Sequence, residues 1–351
     1  MKENNIRIKP YFSVIGHSPD FIELRSGVWN HISYTLQDDT NSGMLYRFIK
    51  ALDGTSSLKE ITSSLNMARS EAEAIIDHLN QLNVIDTGPA TAFDYYTDIY
   101  APAFKNREIN QEELLKKKVY IISDEKLGEE IQEQLSKSLS IDNAELISEN
   151  HSTFKFLESN DQSWLYNAIL FEELLQEFKF LENGFVILAL EHINPIFAKK
   201  FNRIATALNI TWIQSAIDGP FIFIGPLFEK NNTACYECFE TRVSMNLREY
   251  HSYQKYKAAI IESKIIKKAE FPMRNMLTSL MINHLILEVF NYLLTECSFT
   301  KNKVLSIFLP TMEITFNEFL KVSNCQTCGS QPHRDDSQLF FDVQGLLKEE
   351  R

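Results

Sequence analysis

The sequence predicts an α/β protein of two domains. An N-terminal winged helix-turn-helix is expected in residues 1–90, and a larger Rossmann-type α/β domain in residues 118–351, with a linker over residues 91–117. Three short apolar strands followed by three amphipathic helical patterns indicate the first domain. In the second, apolar β-like runs alternate with helical patterns, which is typical of a parallel sheet covered on both faces. Two Cys-x-x-Cys pairs mark the larger domain.

The composition is that of an ordinary globular chain, with 44% hydrophobic and 23% charged residues. The polar N-terminus, MKENNIRIKP, has no signal-peptide core. The most apolar run, residues 276–294, is interrupted by Asn283, His284 and Glu288, which indicates a buried helix and not a membrane span. We therefore expect a cytoplasmic protein with no membrane partner, whose thiols stay reduced.

The net charge of −12 disfavours nucleic acid as a partner, because a phosphate backbone requires a clustered positive surface. Glycine is also scarce. The 351 residues include only 11 glycines, whereas about 7% is usual. Loops that hold nucleotide phosphates are built on glycine, so this scarcity bears on the chemistry of the chain.

The first domain is predicted from its element order. The helix of 57–65 begins behind Ser56-Ser57, with Glu60 at capping-box distance. The helix of 69–82 carries Ala72, Ile76 and Leu79 on one apolar stripe. The predicted strands are PYFSVIGH, DFIELRSG and VWNHISYTL, and the predicted helices are 41–53, 57–65 and 69–82.

A domain of this kind binds either DNA or a peptide. Residues 1–95 hold eight Lys/Arg and twelve Asp/Glu, and the third helix carries Glu71, Glu73 and Asp77 against Arg69. A phosphate surface would be repelled by that helix. An extended peptide that adds to an exposed strand edge and rests on the third helix would not be. The sequence therefore favours a peptide ligand.

The linker region, residues 91–117, contains several aromatic residues and ends in a LKKK stretch. A solvated flexible linker is one interpretation. The aromatic content favours a connector that docks through its rings and includes one helical turn.

The strand and helix patterns of the larger domain follow one another from Val119. The predicted strands are KVYIIS, AELIS, FVILALE and TWIQSAI, and helices are expected at 126–138 and from Pro195 onwards.

The two cysteine pairs are Cys235 with Cys238 and Cys325 with Cys328. A redox pair would be a single motif at the start of a helix after the first strand. Two distant chelating pairs suit a tetrahedral Zn²⁺ with four thiolate ligands. With no further ligand pattern that leaves an open position, we expect a closed, structural zinc site at these four cysteines.

The block ITWIQSAIDGPFIFIGPLFEKNNTACYECFETR, followed by a distant CxxCG, resembles the ThiF-type (E1-like) adenylating fold. The phrases GPLFEKNNTACYECFETR and FNEFLKVSNCQTCG are similar to the branch of ThiF-like partner proteins of YcaO cyclodehydratases, the ocin-ThiF-like family. This family acts in the biosynthesis of thiazole/oxazole-modified peptides and thiopeptides. Its members carry a PqqD-like leader-recognition element, and the resemblance covers nearly the whole chain.

The resemblance implies a peptide groove between the strand Trp29–Leu36 and the helix 69–82. In the family, a leader peptide adds as a strand beside the third strand and packs on the third helix. Carried onto this sequence, the peptide-binding residues are Trp29, Asn30, His31, Ile32, Ser33, Tyr34, Arg69, Ala72, Glu73, Ile76 and Leu79.

The family's nucleotide site is altered here. An adenylating site needs a glycine-rich turn after the first strand, and in residues 123–128 only Gly128 remains, with Asp124 and Glu125 where phosphate would approach. The acidic Mg²⁺-binding position is replaced by Glu191 and His192. Like charges repel a triphosphate, so ATP is not expected in this chain and no catalytic residue is assigned.

The resemblance therefore implies a leader-binding, non-catalytic subunit of a cyclodehydratase, whose YcaO partner uses ATP to form azolines from Cys, Ser or Thr side chains. It also implies a flavin-dependent azoline dehydrogenase as a further partner, and a homodimer. Two alternatives stay open: an active E1-like enzyme that adenylates a peptide or carrier-protein carboxylate, and a DNA-binding regulator with a metal-stabilised domain. The apolar stripe of residues 339–347 either packs on its own domain or docks on the YcaO protein.

Overall fold

The computed structural model describes residues 5–29, 32–88, 91–100 and 117–329. The chain divides into a smaller unit, Met1–Glu108, and a larger unit, Ile109–Arg351. Both combine helices with a sheet, so the mixed α/β class predicted from the sequence is confirmed.

The smaller unit contains a three-stranded antiparallel sheet in the order β2-β3-β4 and a two-stranded pair, β1 with β5. Within the described residues, β4 forms one edge of the three-stranded sheet. Three helices follow the sheet in the chain. The elements are β1 (Arg7–Ile8), β2 (Ser13–Ser18), β3 (Phe21–Ser26), β4 (Ile32–Gln37), α1 (Leu45–Ala51), α2 (Leu58–Leu65), α3 (Arg69–Gln81) and β5 (Ile85–Asp86).

The core of the smaller unit forms because alternate residues of β3 face the helices. Ile22 and Leu24 are fully buried, together with Phe48 of α1 and Leu79 of α3. The predicted capping box is present at α2, where the Ser57 side chain accepts from the Glu60 N–H and the Glu60 carboxylate accepts from the Ser57 N–H at 2.8 Å. The order and extent of the three helices therefore follow from the pattern of the sequence.

Residues 91–100 dock on the smaller unit. They form a short helix, α4 (Ala92–Tyr95), followed by a π-helical turn, Tyr96–Tyr100. The Asp98 carboxylate accepts from Lys9 Nζ and from Asn83 Nδ2, both at 2.6 Å. The rings of Tyr11 and Tyr95 lie 5.2 Å apart. This part of the predicted linker thus contains a helical turn and docks partly through an aromatic ring, while residues 101–116 lie outside the described residues.

The larger unit is built on a seven-stranded sheet in the order β12-β11-β10-β9-β8-β6-β7. Its elements are β6 (Val119–Ser123), α5 (Glu125–Leu139), β7 (Ala144–Ile147), α6 (Ser152–Glu158), α7 (Ala168–Phe178), β8 (Phe185–Leu190), α8 (Pro195–Ala207), β9 (Thr211–Asp218), β10 (Phe221–Phe228), α9 (Tyr236–Asn246), α10 (Tyr250–Ile261), α11 (Arg274–Thr295), β11 (Lys303–Phe308) and β12 (Glu313–Glu318).

The sheet is mixed, which corrects the prediction of a parallel sheet. β7, β6, β8 and β9 are parallel, whereas β10, β11 and β12 each run antiparallel to their neighbours. Only Gly219 and Pro220 separate β9 from β10. A two-residue connection joins antiparallel strands, because a parallel pair needs a crossover of a dozen or more residues.

Helices cover both faces of the parallel part. Along β6, Tyr120 and Ile122 face the core beneath α6, α7, α8 and α9, while Val119 and Ile121 face the core beneath α5 and α11. Gly128 lies where α5 crosses β7, and a Cβ at this position would be 2.2 Å from the Leu146 side chain. A side chain at Gly128 would therefore have to displace the Leu146 side chain, so the packing of α5 on β7 favours glycine here.

Helix α11 is long and apolar enough to span a membrane by length and composition, but 72% of its apolar window is buried inside the protein. Glu288 is buried within this helix and accepts from the Thr300 N–H at 2.9 Å. The predicted buried helix is thus confirmed as a core helix of the larger unit.

Lys200 is an unexpected charge in this core. Its side chain is fully buried in α8, and Nζ donates to the Ser159 carbonyl at 2.5 Å and to the Phe156 carbonyl at 3.3 Å. These carbonyls end α6, where the helix dipole favours a cation. Burial nevertheless lowers the pKa of Lys200 from 10.5 to about 8.

Lys200 is expected to make stability rise with pH. Between pH 8 and 10.5 the unfolded chain binds a proton that the folded chain has lost, so the free energy of unfolding increases there, by about 3 kcal/mol at most. Thermal unfolding across this range should show that the stability of wild type relative to Lys200→Met increases with pH, because other groups that titrate there contribute equally to both proteins. Lys199→Met, the control on the same helix, should behave as wild type; equal pH slopes in all three would contradict the assignment.

Candidate functional site

Four cysteines from two distant parts of the chain meet beside α8. Their sulfur atoms all lie within 4.8 Å of one another. Cys235 Sγ is 3.5 Å from Cys325 Sγ, and Cys238 Sγ is 3.4 Å from Cys328 Sγ. The structure therefore brings together all four residues that the sequence predicts as metal ligands.

Each pair is held by its local backbone. Cys235 is the N-cap residue of α9 and Cys238 lies in its first turn. Cys325 and Cys328 lie in the loop after β12, where the Gly329 N–H donates to the Cys325 carbonyl at 2.8 Å. A side chain at Gly329 would come within 2.4 Å of that carbonyl oxygen, so this tight turn requires glycine.

The spacing of the sulfurs fits one tetrahedral metal ion. Bonds of about 2.3 Å from zinc to sulfur place the four sulfurs about 3.8 Å apart, and the spacings from 3.4 to 4.0 Å lie around that value. A disulfide would need a sulfur separation of about 2.05 Å. Four soft thiolates with no oxygen or nitrogen donor among them suit zinc, in a closed site that supplies stability and not catalysis.

The surroundings of the thiols oppose their ionisation in the absence of a cation. Burial raises the pKa of Cys235 well above its usual range and raises the pKa of Cys238 to about 12. At Cys325 burial acts in the same direction, but hydrogen bonds from the backbone N–H groups of Cys328 and Thr327 and from the Cys235 and Cys238 thiols together outweigh it, so the pKa of this thiol is lowered. A bound cation must therefore displace protons from buried thiols, which couples metal binding to pH.

Glu237 joins the two cysteine loops. It lies between Cys235 and Cys238, and its carboxylate accepts from Thr327 Oγ1, between the other two cysteines, at 2.6 Å. The same carboxylate forms a two-point ion pair with Arg203 of α8, with one contact at 3.0 Å. Arg203 Nη2 also donates to Gln326 Oε1 at 3.2 Å. Two segments far apart in sequence are thus fixed to one helix without the metal.

A second candidate site lies at the carboxyl ends of β6 and β8. β6 lies between β7 and β8 in the sheet, so successive connections run to opposite sides of β6. Ligands of such sheets bind at this switch point. Here acidic side chains occupy the position. Asp124 accepts from the Glu191 N–H at 2.9 Å, and Glu149 accepts from the Glu125 N–H at 2.8 Å. Two N–H groups at this point, those of Glu125 and Glu191, are therefore already bound to carboxylates.

Arg274, the first residue of α11, closes the same crevice. Its guanidinium pairs with Glu191 and, at 2.8 Å, with Glu130 of α5. The Glu191 carboxylate is thus held by an arginine and does not cap its strand. Three buried polar atoms nearby have no hydrogen-bond partner among the described residues: Ser123 Oγ, His192 Nε2 and Arg274 Nη2.

The residues predicted to bind a peptide divide into two groups. Ile32, Ser33 and Tyr34 lie on β4, and Trp29, just before the strand, is 97% exposed. Arg69 and Glu73 are exposed on α3 and form an ion pair at 2.8 Å. Ala72, Ile76 and Leu79 of α3 are buried in the core of the smaller unit, and Asn30 and His31 lie outside the described residues.

Sequence reasoning did not find Arg203, Glu237, Thr327 or Arg274. The spacing of Glu237 and Thr327 inside the two Cys-x-x-Cys motifs is a signal that could have indicated a link between the loops. Arg274 carries no local signal, because its partners lie 83 and 144 residues away in the chain.

Similar folds occur among known structures. A heterocyclase solved in complex with substrate and cofactor matches 93% of this chain with a TM-score of 0.59 at 13% identity, and the heterocyclase TruD matches 93% with a TM-score of 0.58 at 14% identity. E. coli MccB with ATP matches 92% with a TM-score of 0.50 at 16% identity. These likenesses establish the fold.

The coverage of those proteins differs. The chain spans 39% and 43% of the two heterocyclase chains, and 99% of MccB. No protein-family model matches the sequence, and no curated protein matches it either. The residues of the C-terminal apolar stripe, 339–347, lie outside the described residues.

Metal analysis of the purified chain is expected to find about one zinc per chain. Cys325→Ser removes one of four ligands, so it should release the metal and lower the unfolding temperature by roughly 10 °C. Cys297 is exposed and outside the cluster, so Cys297→Ser should retain both the zinc and the unfolding temperature. A wild-type protein that is stable and free of metal would contradict the assignment.

Glu237→Gln is expected to weaken zinc binding about tenfold, because the neutral amide loses the ion pair that fixes both loops to α8. Competition against a chromogenic chelator measures this change. Glu240 supplies a matched control on the same helix, since it accepts from Tyr253 and Lys257 away from the cysteines. If Glu237→Gln and Glu240→Gln bound zinc equally, Glu237 would have no part in holding the site.

Proposed function

We propose that the chain is a leader-peptide-binding, non-catalytic scaffold subunit of an ATP-dependent azoline-forming cyclodehydratase. It binds a ribosomal precursor peptide and presents it to a YcaO partner that forms thiazoline or oxazoline rings. The likeness to two heterocyclases supports a role in peptide modification. In this proposal the smaller unit is a winged helix-turn-helix of the leader-recognition type, and the zinc is structural.

The observation that carries the proposal is the edge strand β4. Its neighbour on one side is β3, and within the described residues no strand pairs with its other side. The exposed Trp29 lies just before it, and Ser33 and Thr35 are exposed along it. An unpaired edge offers backbone N–H and C=O groups to an extended peptide, and a neighbouring tryptophan offers a large apolar contact.

The turn before β4 is ordered from within the sheet. Arg25 donates to the carbonyl of Gly27 at 3.0 Å and to that of Val28 at 2.6 Å, immediately before Trp29. Glu23 accepts from Ser33 Oγ of β4 at 2.7 Å. These bonds order the edge before a ligand binds, which reduces the entropy lost on binding.

The role of α3 in the proposal is divided between its two faces. Ala72, Ile76 and Leu79 hold the helix in the core, so peptide contact falls to exposed residues such as Arg69 and Glu73. The exposed acids Glu71, Glu73 and Asp77 disfavour DNA on this helix. A leader peptide with basic or apolar side chains suits it.

The crevice at the switch point supports the division of labour between this chain and a YcaO partner. The Glu149 carboxylate binds the N–H of Glu125 at the start of α5, the Asp124 carboxylate binds the N–H of Glu191 after β8, and burial raises the pKa of Asp124. A triphosphate would have to displace these groups and the Arg274 ion pairs. We therefore assign ATP chemistry to the YcaO partner. The family resemblance adds two further proposals: a flavin-dependent azoline dehydrogenase that acts in the same pathway, and a homodimeric assembly of this chain.

One observation favours the alternative, an E1-like enzyme that adenylates a peptide or carrier-protein carboxylate. Arg274 Nη2 and Ser123 Oγ are unpartnered at the crevice and are able to bind a polar ligand. Pyrophosphate exchange by the chain alone separates the two functions, because a scaffold gives no exchange without its partner.

Binding of a fluorescent leader peptide tests the proposed function. The peptide is taken from a Cys/Ser/Thr-rich precursor encoded beside the gene, and anisotropy is measured with the full chain. Trp29→Ala should weaken binding at least about tenfold, because exposed tryptophans often dominate peptide interfaces.

Ile266→Ala removes an equally exposed apolar side chain from the larger unit and should leave the affinity unchanged. Absence of leader binding by the wild-type chain would overturn the proposal. If Trp29→Ala bound the leader peptide as tightly as wild type, the peptide would not bind at the β4 edge.

A further inference from the structure

A cleft of about 250 Å³ lies beside the cysteine cluster. It is enclosed by α8, the start of β9, the loop after β10 and the second cysteine loop. Cys235, Cys328 and Gly329 form part of its wall. None of the functions considered above uses it.

A buried amide at this cleft lacks a partner. Asn202 of α8 is 1% exposed, and its Oδ1 accepts from the Tyr236 N–H at 3.0 Å. That bond fixes the side chain, so the other end of the amide, Nδ2, is directed elsewhere. Nδ2 has no solvent exposure and no hydrogen-bond partner among the described residues. Because an unsatisfied buried donor is destabilising, it indicates a missing acceptor.

The charged groups around the cleft have one sign. Lys230 and Lys321 line it, and neither forms an ion pair in the part of the chain that the structure describes. The acid in the lining, Glu229, is bound by Lys301 at 2.8 Å and by Tyr292 at 2.6 Å. The lining residues thus include two lysines that form no ion pair and a buried amide with an unsatisfied N–H donor, and the one acid among them is already paired.

Part of the wall is apolar. Ile210, Trp212 and Phe228 line the cleft, and the rings of Trp212 and Phe228 lie 4.4 Å apart. Such a wall suits a small planar or aliphatic group beside the charged end of a ligand.

We propose that this cleft binds a small organic carboxylate. The carboxylate accepts from Asn202 Nδ2 and from the ammonium groups of Lys230 and Lys321, and the apolar part of the ligand lies against Trp212 and Phe228. This site is separate from the peptide edge of the smaller unit and does not depend on the function proposed above. Because Cys235 and Cys328 share its wall, a bound ligand contacts the surroundings of the metal.

A competing explanation concerns the charge of the metal site. A zinc ion with four thiolates carries a net charge of −2, and Lys230 and Lys321 would balance it without any ligand. That explanation accounts for the lysines but not for the unpartnered Asn202 Nδ2. The two explanations give opposite results in a binding experiment.

Calorimetric titration of the zinc-loaded full chain with benzoate at low ionic strength tests the site. Benzoate should bind saturably with one site per chain, whereas benzamide, the neutral isostere, should show no binding. Asn202→Asp keeps the acceptor for the Tyr236 N–H but replaces the donor with a negative oxygen, so benzoate affinity should fall at least tenfold. Asn246→Asp, on the exposed end of α9, is the matched control and should bind as wild type.

Lys230→Ala with Lys321→Ala should also weaken benzoate binding at least tenfold while the zinc content stays the same. Equal benzoate affinity in Asn202→Asp and wild type would overturn the proposal. The proposal would also be overturned if benzoate did not bind and the double lysine variant bound zinc more weakly. That result is expected if the two lysines only balance the charge of the metal site. A parallel titration with inorganic phosphate establishes whether the site selects a carboxylate; tighter binding of phosphate would also overturn the assignment.

Discussion

The convergence of two Cys-x-x-Cys loops on α8 is the constraint that organises the larger unit. The loop with Cys235 and Cys238 connects β10 to α9, and the loop with Cys325 and Cys328 follows β12, the edge strand of the sheet. The cluster therefore connects the edge of the sheet to the helical layer. Glu237 and Arg203 hold the same segments by charge and hydrogen bonds. Metal binding therefore acts on loops that are already close, which reduces the ordering that the metal must supply.

The opposite end of the parallel strands shows the same device with a different consequence. Carboxylates bind the N–H groups of Glu125 and Glu191 at the switch point, and Arg274 pairs with the carboxylates of Glu130 and Glu191. Acidic side chains and one arginine thus fill this crevice from within the chain.

Much of the fold follows from local patterns. The capping box at Ser57 and Glu60, the start of α8 at Pro195 and the burial of α11 are all readable from spacing and composition. The four cysteines were predictable as a set because each pair chelates locally. The antiparallel strands β10 to β12 were missed, although the Gly219-Pro220 turn signals the first reversal. Arg274 and Lys200 could not be found, because their partners are brought close only by the tertiary fold.

The closure of the crevice by Arg274 also limits how this chain can change. Replacing Glu191 or Glu130 alone leaves a partly buried guanidinium with one partner fewer, and replacing Arg274 alone leaves two acids facing each other beside Asp124. Each of these single substitutions is therefore expected to destabilise the fold, whereas concerted replacement of the three charged residues avoids the unpaired intermediate. The three positions are thus energetically coupled, and the effect of a substitution at one of them depends on which residues occupy the other two.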